Sequence, residues 1–191
     1  MAKELLIVGG PNGSGKTTFA KSFLKEYKYE FLNADEIARE LSNDGSRAGN
    51  ISSGKEYFKR IEKLKSKNKN IILESTLSGL FLKKLIQDFR KKEYKVKIIF
   101  IVLNSPDQCI GRIKHRVEFG GHFVPDEDVK RSFVRGKNNF WHLYKSLVED
   151  WKLFNNTESG FELISAGEKS KFDIVNQSLF ELFIRDIENE K

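Results

Sequence analysis

Short apolar runs alternate with stretches of helical periodicity along the chain. Residues 4–8, Glu-Leu-Leu-Ile-Val, have the length and composition of a parallel strand buried on both faces. A Gly/Pro/Asn loop follows, and the pattern then predicts a helix from about Lys16 to Tyr27. Residues 29–33, Tyr-Glu-Phe-Leu-Asn, read as a second strand and Ala34 to Leu41 as a short helix. Residues 42–54 are rich in Ser, Gly and Asn, which predicts a mobile loop, and Lys55 to Lys67 is an amphipathic, basic helix.

Residues 70–74, Asn-Ile-Ile-Leu-Glu, form a third strand that ends on a carboxylate. Gly79 to Lys92 reads as helix and Lys95 to Leu103 as a fourth strand. Asn104-Ser105-Pro106 is a helix start with Pro in the first turn, and Gly120-Gly121 stops that helix near Phe119. A long helix is predicted from Pro125-Asp126 to about Glu149, then short strands at Lys152 to Asn155 and Phe161 to Ser165. A closing helix is predicted over Phe172 to Ile187, with Ile174, Leu179, Leu182 and Phe183 toward the core. Strands alternating with helices call for a parallel sheet with right-handed crossovers, covered on both faces. No repeat or linker divides the chain, so residues 1–191 are expected to form one domain.

Composition narrows the class. The 191 residues suffice for a sizeable core, and no apolar run approaches the roughly 20 residues of a membrane span. The start lacks the pattern of a secretory signal and the single cysteine, Cys109, has no internal disulfide partner, so a cytoplasmic protein is expected. The net charge of +7 is uneven: residues 51–100 carry 14 basic and 5 acidic side chains, residues 149–191 carry 5 and 10. Most of the basic residues are Lys at helical spacing beside Glu, with few aromatics between them. A solvated helix face is therefore favoured over a nucleic-acid surface.

The sharpest motif is Gly10-Pro11-Asn12-Gly13-Ser14-Gly15-Lys16-Thr17, which matches G-x-x-x-x-G-K-[ST] between an apolar strand and a helical pattern. Its glycines let successive backbone N–H groups turn inward around an anion, and the following helix adds its positive end. The segment from Gly10 to Thr18 is thus expected to bind the phosphates of ATP or GTP. Lys16 would reach the β- and γ-phosphates, and the Thr17 hydroxyl would help hold Mg²⁺.

Chemistry in such a sheet gathers at the carboxyl ends of the strands. Asp35, just past the second strand, suits a base that takes the proton of an attacking hydroxyl, and suits a helix N-cap equally. Glu74, at the end of the third strand, is a candidate for the Mg²⁺ shell or the acceptor, with Thr76 beside it. Arg112 and Arg116 share one helix face and would pair with charge on a transferring phosphoryl group, as would Arg131 on the next helix. Surface pairing with Glu118, Asp126 or Asp128 is the alternative. His122, in the Gly-Gly-His-Phe-Val-Pro connection, is a candidate phosphate contact or a structural loop histidine. No Cys/His cluster has zinc spacing, and Cys109 reads as a small packed residue.

Four segments taken in order resemble the zeta-toxin family of P-loop kinases: 9–19 (Gly-Gly-Pro-Asn-Gly-Ser-Gly-Lys-Thr-Thr-Phe), 31–38 (Phe-Leu-Asn-Ala-Asp-Glu-Ile-Ala), 73–79 (Leu-Glu-Ser-Thr-Leu-Ser-Gly) and 112–125 (Arg-Ile-Lys-His-Arg-Val-Glu-Phe-Gly-Gly-His-Phe-Val-Pro). The last segment is closer to a stand-alone branch of that family. The resemblance implies a three-layer α/β/α P-loop NTPase fold with a mainly parallel five-stranded sheet and a helical lid. It implies a kinase that uses ATP or GTP and Mg²⁺ to phosphorylate a hydroxyl of a small acceptor, with UDP-N-acetylglucosamine as the family's example. It also implies an antitoxin protein as partner, Asp35 as base, Glu74 and Thr76 near the acceptor, and Arg112 or Arg116 as the positive clamp. A nucleoside or polynucleotide kinase and a non-catalytic nucleotide switch are the competing readings.

Overall fold

Every position of β1 (Glu4–Gly9) after Glu4 is buried, as a strand covered on both faces requires. It is the middle one of five parallel strands in a computed structural model that describes residues 3–41, 47–169 and 171–188, without the side chains of 35, 38, 39, 41 and 47–53. α1 (Lys16–Glu26), β2 (Glu30–Leu32), α2 (Ala34–Leu41), α3 (Arg47–Ser66), β3 (Ile71–Ser75), α4 (Phe81–Lys91) and β4 (Lys95–Val102) follow in turn. The C-terminal half supplies α5 (Pro106–Glu118), α6 (Asp126–His142), a single 3₁₀ turn (Tyr144–Leu147), β5 (Asp150–Thr157), β6 (Gly160–Glu168), β7 (Lys171–Ile174) and α7 (Gln177–Glu188).

The strands form one sheet in the order β2-β3-β1-β4-β5-β6-β7. The first five are parallel, and β6 and β7 are added antiparallel at one edge. The sheet therefore has seven strands, not the expected five. Strand residues alternate between faces: Leu5 and Ile7 enter the larger core with α3, α4, α6 and α7, whereas Leu6 and Val8 pack with Ala20, Phe19 and Phe23 of α1. Helices cover both faces, giving three layers. No helix among the described residues is long and apolar enough to cross a membrane.

Three sequence boundaries moved. The predicted loop at 42–54 is helical from Arg47, while its residues 42–46 lie outside the described ones. The long helix stops at His142, because Tyr144–Leu147 tightens into a 3₁₀ turn that leads straight into β5. Residues 172–187 are not one helix. Lys171–Ile174 pairs with β6, and Phe172 reaches Trp141, Trp151 and Phe180 with ring centroids 5.4, 5.8 and 5.7 Å away. The Asn176 side chain then accepts from the Leu179 N–H at 3.1 Å, capping α7.

Candidate phosphate-binding and phosphotransfer site

The β1–β3 register sets Val8 opposite Glu74 and Gly9 opposite Ser75, so the loop that leaves β1 emerges beside the Glu74 carboxylate. The Gly10 N–H donates to the Ser75 carbonyl at 3.2 Å and anchors the turn. Gly10 (φ 144°) and Gly13 (φ 83°) both occupy backbone conformations that favour glycine. A side chain at Gly10 would run into the Ile101 carbonyl, and one at Gly13 would meet the Cys109 carbonyl at 2.5 Å. The loop is thus pressed against β4 on one side and α5 on the other.

Lys16 Nζ donates to the Pro11 carbonyl at 2.9 Å, which curls the side chain back over the loop. The Thr17 hydroxyl and the Asn33 side-chain amide both donate to Glu74 Oε2, at 3.1 and 3.0 Å. Asn33 Oδ1 accepts from the Glu36 N–H at 3.3 Å, so one side chain links Glu74 to the start of α2. Two hard oxygens, Thr17 Oγ1 and Glu74 Oε2, are therefore close enough to share a cation that takes oxygen ligands. Among the described residues no cluster of three or more His, Cys, Asp or Glu could hold a metal by itself. The Thr17–Glu74 pair suits Mg²⁺, which keeps waters and phosphate oxygens in its shell and needs only one or two protein ligands.

A cleft of about 580 Å³ opens above the loop. Its lining includes Asn12, Gly13, Gly15, Lys16, Thr17 and Thr18 from the loop and α1, Glu74 and Thr76 from β3 onward, and Arg112, Arg116 and His122 from the α5–α6 hairpin. Gly10, Pro11 and Ser14 lie beneath it, buried. Asp35 sits on the backbone between Ala34 and Glu36, both of which line the cleft, while its side chain lies outside the described ones. Arg112 donates to the Asn156 carbonyl at 3.1 Å and Arg116 to the His122 carbonyl at 2.6 Å. Arg131 is elsewhere: it pairs with Asp128 at 2.7 Å, on the exposed surface, and does not line the cleft.

Several site residues carried no signal in the sequence. Asn156, at the end of β5, donates to the Ser14 carbonyl at 2.8 Å and joins the loop to the strand that holds Arg112. Ser132 accepts from the Asn12 N–H at 3.2 Å. Tyr57 of α3 is buried at the cleft, and burial, with the nearby Glu74 charge, pushes its hydroxyl well above the ordinary range, so it stays neutral. α6 and the 3₁₀ turn after it grip the segment that holds Thr76: Asn139 donates to the Leu77 carbonyl at 2.8 Å and Tyr144 to the Gly79 carbonyl at 2.5 Å. Asn33, next to Asp35 in the same short motif, was within sight of the sequence pattern.

A family model described as an AAA domain, AAA_33, matches residues 5–134. The chain belongs to this AAA domain family. An uncharacterized protein of Haemophilus influenzae is 28% identical over 130 residues, covering 68% of this chain and 92% of the relative. A cytidylate kinase of Archaeoglobus fulgidus is 25% identical over 159 residues, 78% of this chain and 82% of the relative. A cytidylate kinase of Sulfurisphaera tokodaii is 32% identical over 88 residues, and the match spans 41% of this chain and about half, 49%, of that relative.

Solved structures agree on the fold. A chain of the AvrRxo1-ORF1:AvrRxo1-ORF2 complex superposes with a TM-score of 0.75 at 19% identity; the match covers 94% of this chain and 63% of the other. A chain from the PezAT chromosomal toxin–antitoxin system of Streptococcus pneumoniae superposes with a TM-score of 0.65 at 17% identity, covering 100% and 88%. This member of the AAA domain family thus has a P-loop kinase-like fold, with kinases among its relatives.

Proposed function

We propose that the protein is a Mg²⁺-dependent phosphotransferase that moves the γ-phosphoryl group of ATP or GTP to a hydroxyl of a small acceptor. The observation that carries this reading is the convergence of Lys16, Thr17 and Glu74 on the floor of one cleft with Arg112 and Arg116 on its wall. The loop amides and Lys16 would hold the phosphates above the cleft floor. Thr17 and Glu74 would hold Mg²⁺, which when bound neutralises charge on the phosphate oxygens. Arg112 and Arg116 leave their present carbonyl partners for the equatorial oxygens of the transferring group. Asp35 takes the acceptor proton as the new P–O bond forms and the bond to the leaving nucleoside diphosphate breaks. Thr76 and His122 complete the acceptor side.

The four segments that resemble zeta toxins support UDP-N-acetylglucosamine as a first acceptor to test. The likeness to a chain of a toxin–antitoxin system supports a neutralising protein partner. The cytidylate kinase relatives support a second reading, a nucleoside monophosphate whose phosphate is the acceptor.

The test incubates the protein with Mg²⁺, labelled ATP or GTP and pools of acceptors, and follows the label by mass. Transfer to a hydroxyl acceptor that is lost in Asp35→Asn, with nucleotide affinity kept, is the expected result. Transfer that survives in Asp35→Asn favours the second reading, because a phosphate acceptor has no proton to give up. Slow hydrolysis with no labelled acceptor would sink both.

A further inference from the structure

We infer that the cleft has a stacking platform for a flat aromatic ring, formed by Phe81 with Phe58 behind it, and that the acceptor carries a nucleobase seated there. The inference rests on the phosphotransferase reading and concerns the acceptor end of that same cleft.

The sheet order divides the cleft. The phosphate loop follows central β1; Arg112 and Asn156 flank it on the β4/β5 side, whereas Asn33, Glu36, Tyr57, Thr76 and Phe81 lie toward β2 and β3. With the phosphoryl group held beside Thr17 and Glu74, as the proposed function has it, an acceptor would lie among the second set. Phe81 is the first residue of α4 and lines this end while 47% exposed. Phe58 is 46% exposed and meets Phe81 edge to face, at 5.9 Å and 90°. Tyr57 meets Phe58 at 5.8 Å and 69° from within the core.

The core gives no reason for this exposure. The buried positions of α4, Leu82, Leu85, Ile86 and Phe89, already fill its inward face. A phenylalanine held half in water at a cleft mouth, and buttressed by a second ring, offers a rigid flat surface at little cost in side-chain entropy. Rings of that kind stack on bases of any sequence. Polar atoms stand beside it for the rest of a nucleoside: the Thr76 and Ser75 side chains, Asn33 and Glu36 line the same end.

The experiment saturates the protein with Mg²⁺ and a non-hydrolysable ATP analogue, so that the phosphate loop is filled. It then titrates CMP, UMP, AMP and UDP-N-acetylglucosamine against N-acetylglucosamine 1-phosphate, which has no base, by calorimetry. At least one base-containing compound is expected to bind, and N-acetylglucosamine 1-phosphate to bind far more weakly. Phe81→Leu keeps the apolar volume and removes the flat face. It should weaken that compound by about 10- to 100-fold. Phe81→Trp should hold the affinity, and Phe58→Leu should weaken it to a smaller extent. Equal affinity for the base-free sugar phosphate would overturn the inference, as would Phe81→Leu binding the base-containing compound as wild type does. No binding of any base-containing compound to the saturated protein would also overturn it. Affinity for the donor analogue is read separately, and lack of affinity for both an ATP and a GTP analogue marks failure of the phosphotransferase reading instead.

Discussion

Gly111 and Gly136 both lie inside helices, and a methyl group added to each should act in opposite directions. Gly111 in α5 has nothing within 4 Å of where a Cβ would stand. Gly111→Ala should therefore stabilise by roughly 0.5–1 kcal/mol, the ordinary helix-propensity gain. Gly136 in α6 is buried, and its Cβ would sit 2.5 Å from the Thr76 carbonyl oxygen. Ordinary contact begins at 3.4 Å, so helix and loop must part by 3.4 − 2.5 = 0.9 Å. Asn139 and Tyr144 hold that same segment to the C-terminal end of α6 and the turn after it, so neither side yields freely. Overpacking of this kind costs about 1–3 kcal/mol, with the upper end apt against a rigid carbonyl. After the propensity gain, Gly136→Ala should lose about 2 kcal/mol. The two variants should then differ by roughly 3 kcal/mol, or about 6–12 °C in Tm for a chain of this size. Differential scanning calorimetry on the pair measures the gap. Gly136→Ala should also slow turnover, because Thr76 lines the cleft. If Gly136→Ala melted as high as Gly111→Ala, α6 would not pack directly on the Thr76 backbone, and the account of what positions that loop would fail.

Other perturbations test separate parts of the structure. Lys16→Ala should abolish measurable Mg²⁺-nucleotide binding by calorimetry, because the loop loses the ammonium that reaches the phosphates. Lys137 is 3% exposed, pairs with Asp186 at 2.5 Å and lies 4.2 Å from the Phe133 ring centroid. Asp186→Ala should cost about 2–4 kcal/mol in urea unfolding, whereas Lys137→Met should be near neutral, since it removes the buried charge along with its need for a partner. Burial pushes the Cys109 thiol up to about 11 against the opposing charges of Lys16, Lys137 and Arg112. The native protein should resist a thiol reagent at pH 8 and react only on unfolding. Because the folded thiol stays protonated where the unfolded one ionises, the contribution of Cys109 to stability should be intact below pH 9 and fall between about 9 and 11, a decline absent in Cys109→Ala.

The sequence by itself determined the parts whose signals are local. Gly10 to Thr17 could be read because a phosphate loop is made by consecutive backbone groups, and its glycine positions follow from φ alone. β1, β3 and β4 were visible as apolar runs, because strands in the buried middle of a sheet need no partner in view to be recognised. Only the tertiary structure decided what depends on distant pairing. Lys171–Ile174 became a strand because β6 offered an edge and Trp141 and Trp151 offered a surface for Phe172, neither of which is near in sequence. Arg131 had the same helical spacing as Arg116, yet one pairs with Asp128 at the surface and the other lines the cleft. Spacing along a helix fixes which residues share a face, and the docking of that helix fixes what the face meets. Asn156, Tyr57 and Phe81 entered the site in the same way, carried there by β5, α3 and α4 as these packed around a loop far from them in the chain.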